Sequence, residues 1–158
     1  MVASIGAVAS PSQGASYYER DGYYTRDDPA HRAASAWTGK GAAGLSLEGP
    51  VDPEVFKAVL EGEVPDGSGR KLGRKTRDGE VQHRPGRDLT FSAPKSVSLA
   101  ALIGGDARIV DAHDRAVMRA LDWFERNAAE TRTQDTGTGQ MVRVRGQKTV
   151  VATFRHGT

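Results

Sequence analysis

From about Asp106 to Glu130 the chain carries one long amphipathic pattern, and any fold it adopts must cover one side of that helix. Ile109, His113, Ala116, Val117, Ala120, Leu121, Phe124 and Ala128 recur at helical spacing and mark the covered face. His113 sits within this stripe and reads as a core or edge histidine rather than a ligand. Upstream, Asp88-Leu89-Thr90-Phe91-Ser92 alternates strictly. That is a strand, with Leu89 and Phe91 toward the core and Asp88, Thr90 and Ser92 on the other face. Pro94 then opens a helix through Val97, Leu99, Leu102 and Ile103, stopped by Gly104-Gly105. An earlier helix starts at Asp52, an N-cap, with Pro53 in the first turn. Val55, Phe56, Val59 and Leu60 form its apolar stripe, and Gly62 is its stop. Near the end, Gln140–Arg145 and Thr149–His156 read as strands, with a turn at Gly146-Gln147. The stretch Trp37-Thr38-Gly39-Lys40-Gly41 reads as a glycine-rich loop. It lacks the serine or threonine that a phosphate-binding loop places after Gly-Lys.

These elements define an α+β class in one domain, which a length of 158 residues suits. With no cysteine, a disulfide framework and a thiolate metal site are excluded. Met1 to Gln13 has no basic region or sustained apolar run, so a signal peptide is not expected. No stretch approaches the roughly 20 apolar residues of a membrane span. The expectation is a cytoplasmic chain without a membrane partner.

Charge is informative only in its distribution. The net charge is +2. Between Arg70 and Arg87, however, Arg70, Lys71, Arg74, Lys75, Arg77, Arg84 and Arg87 stand against only Asp78 and Glu80, a local +5. Such a segment either tracks nucleic-acid phosphates or is a solvated linker.

Chemistry is concentrated near the start. All four tyrosines lie in Ser16-Tyr17-Tyr18-Glu19-Arg20-Asp21-Gly22-Tyr23-Tyr24. Tyr17 and Tyr18 are placed on a short helix, with Tyr23 and Tyr24 after a break at Gly22. A tyrosine phenolate can attack a phosphodiester and hold the DNA end covalently. Its free pKa near 10 demands a base, a metal or local positive charge. Aromatic packing is the competing account of the cluster. Asp88, on the polar face of its strand, can orient a histidine or accept a proton, or be a plain surface carboxylate. His156 shares phase with Val150, Ala152 and Phe154. Spacing alone makes no metal site from His31, His83, His113 and His156.

The run Asp88-Leu89-Thr90-Phe91-Ser92-Ala93-Pro94-Lys95-Ser96-Val97-Ser98 resembles the signature of the TrwC/TraI class of conjugative relaxases, the MobF type. The paired tyrosines, Trp37–Gly41, Gly105-Asp106 leading to Asp111–Val117, and Phe154-Arg155-His156 fit in order. The resemblance covers nearly the whole chain. It implies an antiparallel sheet with helices packed on one face and an enzyme that nicks one strand of plasmid DNA at a transfer origin. Tyr17 is then the nicking nucleophile and Tyr23 the candidate for the second transesterification, with Tyr18 and Tyr24 in support. Asp88 matches the carboxylate that orients or activates the site. His156 matches the first of three histidines that hold a divalent ion, Mg2+ or similar. The basic segment, with Lys95 of the signature, is the expected DNA contact. The partners implied are single-stranded DNA at the transfer origin and accessory relaxosome proteins, in a bacterial cytoplasm. In the family a His-x-His pair follows about ten residues after the first metal histidine, against three ligands as the usual catalytic minimum. The sequence ends at Thr158, before such a pair. Residues 1–158 are therefore expected to be the N-terminal portion of a relaxase domain, C-terminally incomplete and without a helicase domain. Such a polypeptide is expected to bind metal poorly and nick weakly.

Overall fold

The computed structural model of the chain describes residues 2–12, 14, 34–79, 81–146 and 148–155, with only the backbone of Arg74 and Lys75. Its strands are β1 (Val2–Ala7), β2 (Ser35–Thr38), β3 (Arg74–Lys75), β4 (Val81–Gln82), β5 (Arg87–Ser92), β6 (Glu130–Gln134), β7 (Met141–Arg145) and β8 (Val151–Phe154). The helices are α1 (Lys40–Gly44), α2 (Pro53–Leu60), α3 (Lys95–Leu102) and α4 (Ala107–Asn127). Among the described residues every strand pairing is antiparallel: β1 with β5, β2 with β8, β3 with β4, and β6 with β7. Helices and antiparallel sheets are thus combined as the α+β reading requires.

The core forms where α2 meets the β2–β8 ribbon. The Asp52 carboxylate accepts the Glu54 and Val55 amides at 2.8 and 3.2 Å, satisfying two donors the helix start leaves open. At the other end the Gly62 amide donates to the Val59 carbonyl and the Glu63 amide to that of Ala58. This reversal needs the positive φ of Gly62, +83°. Between these caps Phe56 and Leu60 are buried with Val51, and Trp37, Ala152 and Phe154 pack on them. In the ribbon Ser35 lies opposite Phe154 and Trp37 opposite Ala152, so all four share the face over α2. The Phe56 ring lies edge-on to Phe154 at 5.6 Å and tilted to Trp37 at 6.3 Å, geometries that aromatic quadrupoles favour.

Several expectations require correction. Trp37–Gly41 is not a loop. It is strand β2 running through Gly39 into α1, with the half-buried Trp37 packed against the core. The long helix ends at Asn127 rather than near Glu130. Its marked face is half-buried, except that Ala128 is exposed. Glu130 instead begins β6, a strand that the polar run Glu-Thr-Arg-Thr-Gln does not announce. It exists because β7 offers it a complete ladder. β8 does not fold back on β7 across the turn at Gly146 but crosses to β2. β1 carries no alternation and is made by pairing with β5 along six residues. Leu89 and Phe91 are half-buried and stand outside the buried core.

Candidate functional site

Of the residues singled out for chemistry, Tyr17, Tyr18, Tyr23, Tyr24 and His156 lie outside the described residues. Asp88 is described. It is half-buried on β5, directly opposite Gly6 of β1. A Cβ at position 6 would stand 3.9 Å from that of Asp88, so glycine leaves open space beside the carboxylate. β8, the strand that leads to His156, pairs with β2 in a different ribbon.

The basic segment is more ordered than a linker. The Leu72 amide donates to the Gly62 carbonyl at 2.7 Å and the Val64 amide to Arg70 at 2.9 Å. Glu63 and Lys71 form a β-bridge. His83 packs on Gly62, where an added Cβ would come within 2.8 Å of its ring. Partial burial lowers the His83 pKa. The cations divide into two groups. Arg70 is engaged by Asp66 at 2.7 Å and by Ser68. Ser68 and Arg70 in turn hold the Asp66 carboxyl down to about 2. Lys71 pairs with Glu63 at 3.0 Å. Arg77, Arg84, Arg87 and Lys95 are exposed and show no ion pair with a described residue. The side chains of Arg74 and Lys75 are outside the description.

One polar cluster had no counterpart in the sequence reading. Glu125 of α4 is buried, with 5% of its surface exposed. Its Oε1 accepts the Lys40 amide at 3.0 Å, the Thr149 amide at 2.7 Å and the Thr149 hydroxyl at 3.0 Å. The Lys40 ammonium stands 4.0 Å from Oε2. Burial opposes ionisation here, but the Thr149 and Lys40 donors and the Lys40 charge outweigh it and hold the carboxyl below its ordinary range. The two glycines flanking Lys40 are what let Thr149 approach. The Gly41 amide donates to the Thr149 carbonyl at 2.8 Å. A Cβ at Gly39 or Gly41 would come within 2.4 or 2.6 Å of that same oxygen. The Gly39-Lys40-Gly41 motif is therefore explained by packing rather than phosphate binding. Six residues beyond Thr149, Arg155 gives its amide to Ala34 at 2.8 Å and its guanidinium to Asp114 of α4 at 2.8 Å. α4 thus holds β8 just before its start and just past its end, immediately ahead of His156. No sequence signal marks this cluster, because the partners of Glu125 lie 24 and 85 residues away.

Residues 11–158 match the family model described as TrwC relaxase. The chain belongs to the TrwC relaxase family. It is 42% identical over 156 residues to the multifunctional conjugation protein TraI of Escherichia coli (strain K12), covering 98% of this chain and 8% of TraI. Among solved structures it is similar to the conjugative relaxase TrwC in complex with OriT DNA. The metal-bound form matches at 41% identity with a TM-score of 0.77, and the metal-free form at 40% and 0.75. Each match covers 98% of this chain and 50% of the TrwC chain. A third TrwC structure, with a 27-mer DNA of recognition hairpin and cleavage site, matches at 38% and 0.74. This family member therefore spans half the length of the solved relaxases it matches. Metal is bound in structures of TrwC. Among the described residues of this chain no three histidines, aspartates or glutamates stand together as an ion site. No described helix is long and apolar enough to cross a membrane.

Proposed function

We propose that this chain carries the nucleophile half of a DNA-relaxase site, acting on single-stranded DNA at a plasmid transfer origin in the bacterial cytoplasm. The observation that carries this reading is the family match across residues 11–158, which takes in both tyrosine pairs, Asp88 and Phe154-Arg155-His156. The Tyr17 phenolate attacks phosphorus, the Tyr Oη–P bond forms, the P–O3′ bond breaks, and the 3′ oxygen leaves with a proton as a hydroxyl. The 5′ phosphate stays on the protein. Tyr23 is assigned the second transesterification, with Tyr18 and Tyr24 in support, and Asp88 orients or activates the site. His156 is assigned to the divalent ion that the family employs, Mg2+ or similar, which supplies charge stabilisation at the phosphate when bound. Accessory relaxosome proteins are the further partners this reading implies.

Residues 1–158 are read as the N-terminal portion of a relaxase domain. A polypeptide of only these residues has one of the three expected ion ligands and is expected to hold the ion weakly and nick slowly. Robust metal-dependent nicking by it would sink that part of the reading. The test incubates the chain with transfer-origin oligonucleotides of its relatives and with a random single-stranded pool, then seeks nucleotide-modified peptides by mass spectrometry. An adduct at Tyr17 that vanishes in Tyr17→Phe supports the relaxase. Salt-sensitive binding without adduct supports a second reading, a single-stranded DNA-binding module, which the exposed Arg77, Arg84, Arg87 and Lys95 favour.

A further inference from the structure

The β6–β7 ribbon is unlike the rest of the fold. All ten of its residues are exposed, on both faces. An isolated two-stranded hairpin is marginal in water, and a bare one has surface to offer. Its register puts Glu130, Arg132 and Gln134 opposite Arg145, Arg143 and Met141, so these six share a face. That face holds three arginines and one carboxylate, a net +2. Glu130 is shared between Arg145 at 2.7 Å and Arg143 at 3.6 Å. Arg132 has no anionic partner among the described residues, although Arg143 lies directly across from it. Like charges directly opposite one another destabilise a ladder. The arrangement is unfavourable in isolation and becomes favourable with a polyanion over the face.

We infer that the β6–β7 ribbon, through Arg132, Arg143 and Arg145, docks on the phosphate backbone of duplex DNA. The inference rests on the relaxase reading and extends it to an element outside the basic Arg70–Arg87 segment. Duplex is favoured over single strand on two grounds. A duplex carries one charge per about 1.7 Å of axis against about 3.4 Å for one strand, the stronger field for a compact cationic cluster. A two-stranded ribbon uncovered on both faces also has the width that the major groove admits.

The test measures binding of the 158-residue chain to a 30-base-pair duplex and to a single strand of equal length, each as a function of salt. Removing one phosphate contact lowers the log–log salt slope by about 0.9 on duplex and about 0.7 on single strand. For Arg132→Ala combined with Arg143→Ala the duplex slope is expected to fall by about 1–2, with less from Arg143 because Glu130 already engages it, while Arg132→Lys leaves it unchanged. Glu130→Gln, which removes the neutralising carboxylate, is expected to raise duplex affinity, a gain that a damaged fold does not produce. An unchanged duplex slope in the double variant, with wild-type binding intact, overturns the inference and leaves the relaxase reading standing. A larger effect on the single strand than on the duplex overturns the choice of occupant. Displacement of DNA by poly-glutamate at equal charge with the same arginine dependence overturns it in favour of an acidic protein surface. If the wild-type chain binds neither DNA, this inference and the relaxase reading both fall.

Discussion

Replacing Glu125 by alanine strips three donors of a common acceptor. Two are backbone amides, those of Lys40 and Thr149, and the third is the Thr149 hydroxyl. A hydrogen bond to a charged group contributes about 1.5–3 kcal/mol when buried. These three are part-buried, so water re-solvates some of the loss, and about 1 kcal/mol each is the fitting scale. The expected cost is about 3 kcal/mol, at the lower edge of what breaking a buried ionic cluster costs. In a chain of this size each kcal/mol moves the melting point by about 2–4 °C, giving a drop of about 6–12 °C. The assay is thermal unfolding followed by far-UV circular dichroism at neutral pH, with amide exchange at Thr149 and Lys40 as the local readout. The folded carboxyl titrates below the ordinary glutamate value of 4.5, so its contribution is complete above that pH and lost as pH falls through the folded value. Wild type and variant should therefore converge in acid. A melting point within about 2 °C of wild type at neutral pH, or a difference undiminished in acid, would refute the reasoning.

Gly41→Ala drives a methyl within 2.6 Å of the Thr149 carbonyl oxygen, backbone that cannot step aside, and should cost about 1–3 kcal/mol in a urea titration. Phe56→Ala empties the contact between Trp37 and Phe154 and should cost about 3–5 kcal/mol, read from the shift of the denaturation midpoint. Arg84→Ala should lower the salt slope of single-stranded DNA binding by about 0.7. Arg70→Ala should lower it less, because Asp66 and Ser68 already occupy that guanidinium.

What was legible in the sequence was whatever is decided locally. The α2 helix was readable end to end because its cap, its proline and its stop each act within a few residues. The face of α4 and the strand at Asp88 were readable because period 3.6 and period 2 are written in neighbouring side chains. What failed was pairing over distance. β1 and β6 have no alternation of their own and exist through partners 80 to 90 and 7 to 15 residues away. The Glu125 cluster joins three segments, and a lone glutamate among other surface-type residues gives no hint that it is buried. At the candidate site, the carriers of the chemistry were legible through motif rather than geometry. Of these, Asp88, Lys95 and most of the basic segment lie in the described fold. There the structure distinguishes engaged from available cations, which composition alone could not do.

Asp114 and Glu125 are eleven residues apart, about 16 Å and almost a whole number of turns along α4. Thr149 and Arg155 are six residues apart with β8 between them, a reach of at most about 20 Å. Both lie just outside β8, one before its start and one past its end. The helix therefore has a fixed length between its two anchors. Inserting or deleting one residue there swings one anchor about 100° away from its partner, whereas a point change at most positions leaves both in place. Indels between 114 and 125 should be far less tolerated than point changes at most positions of the same span.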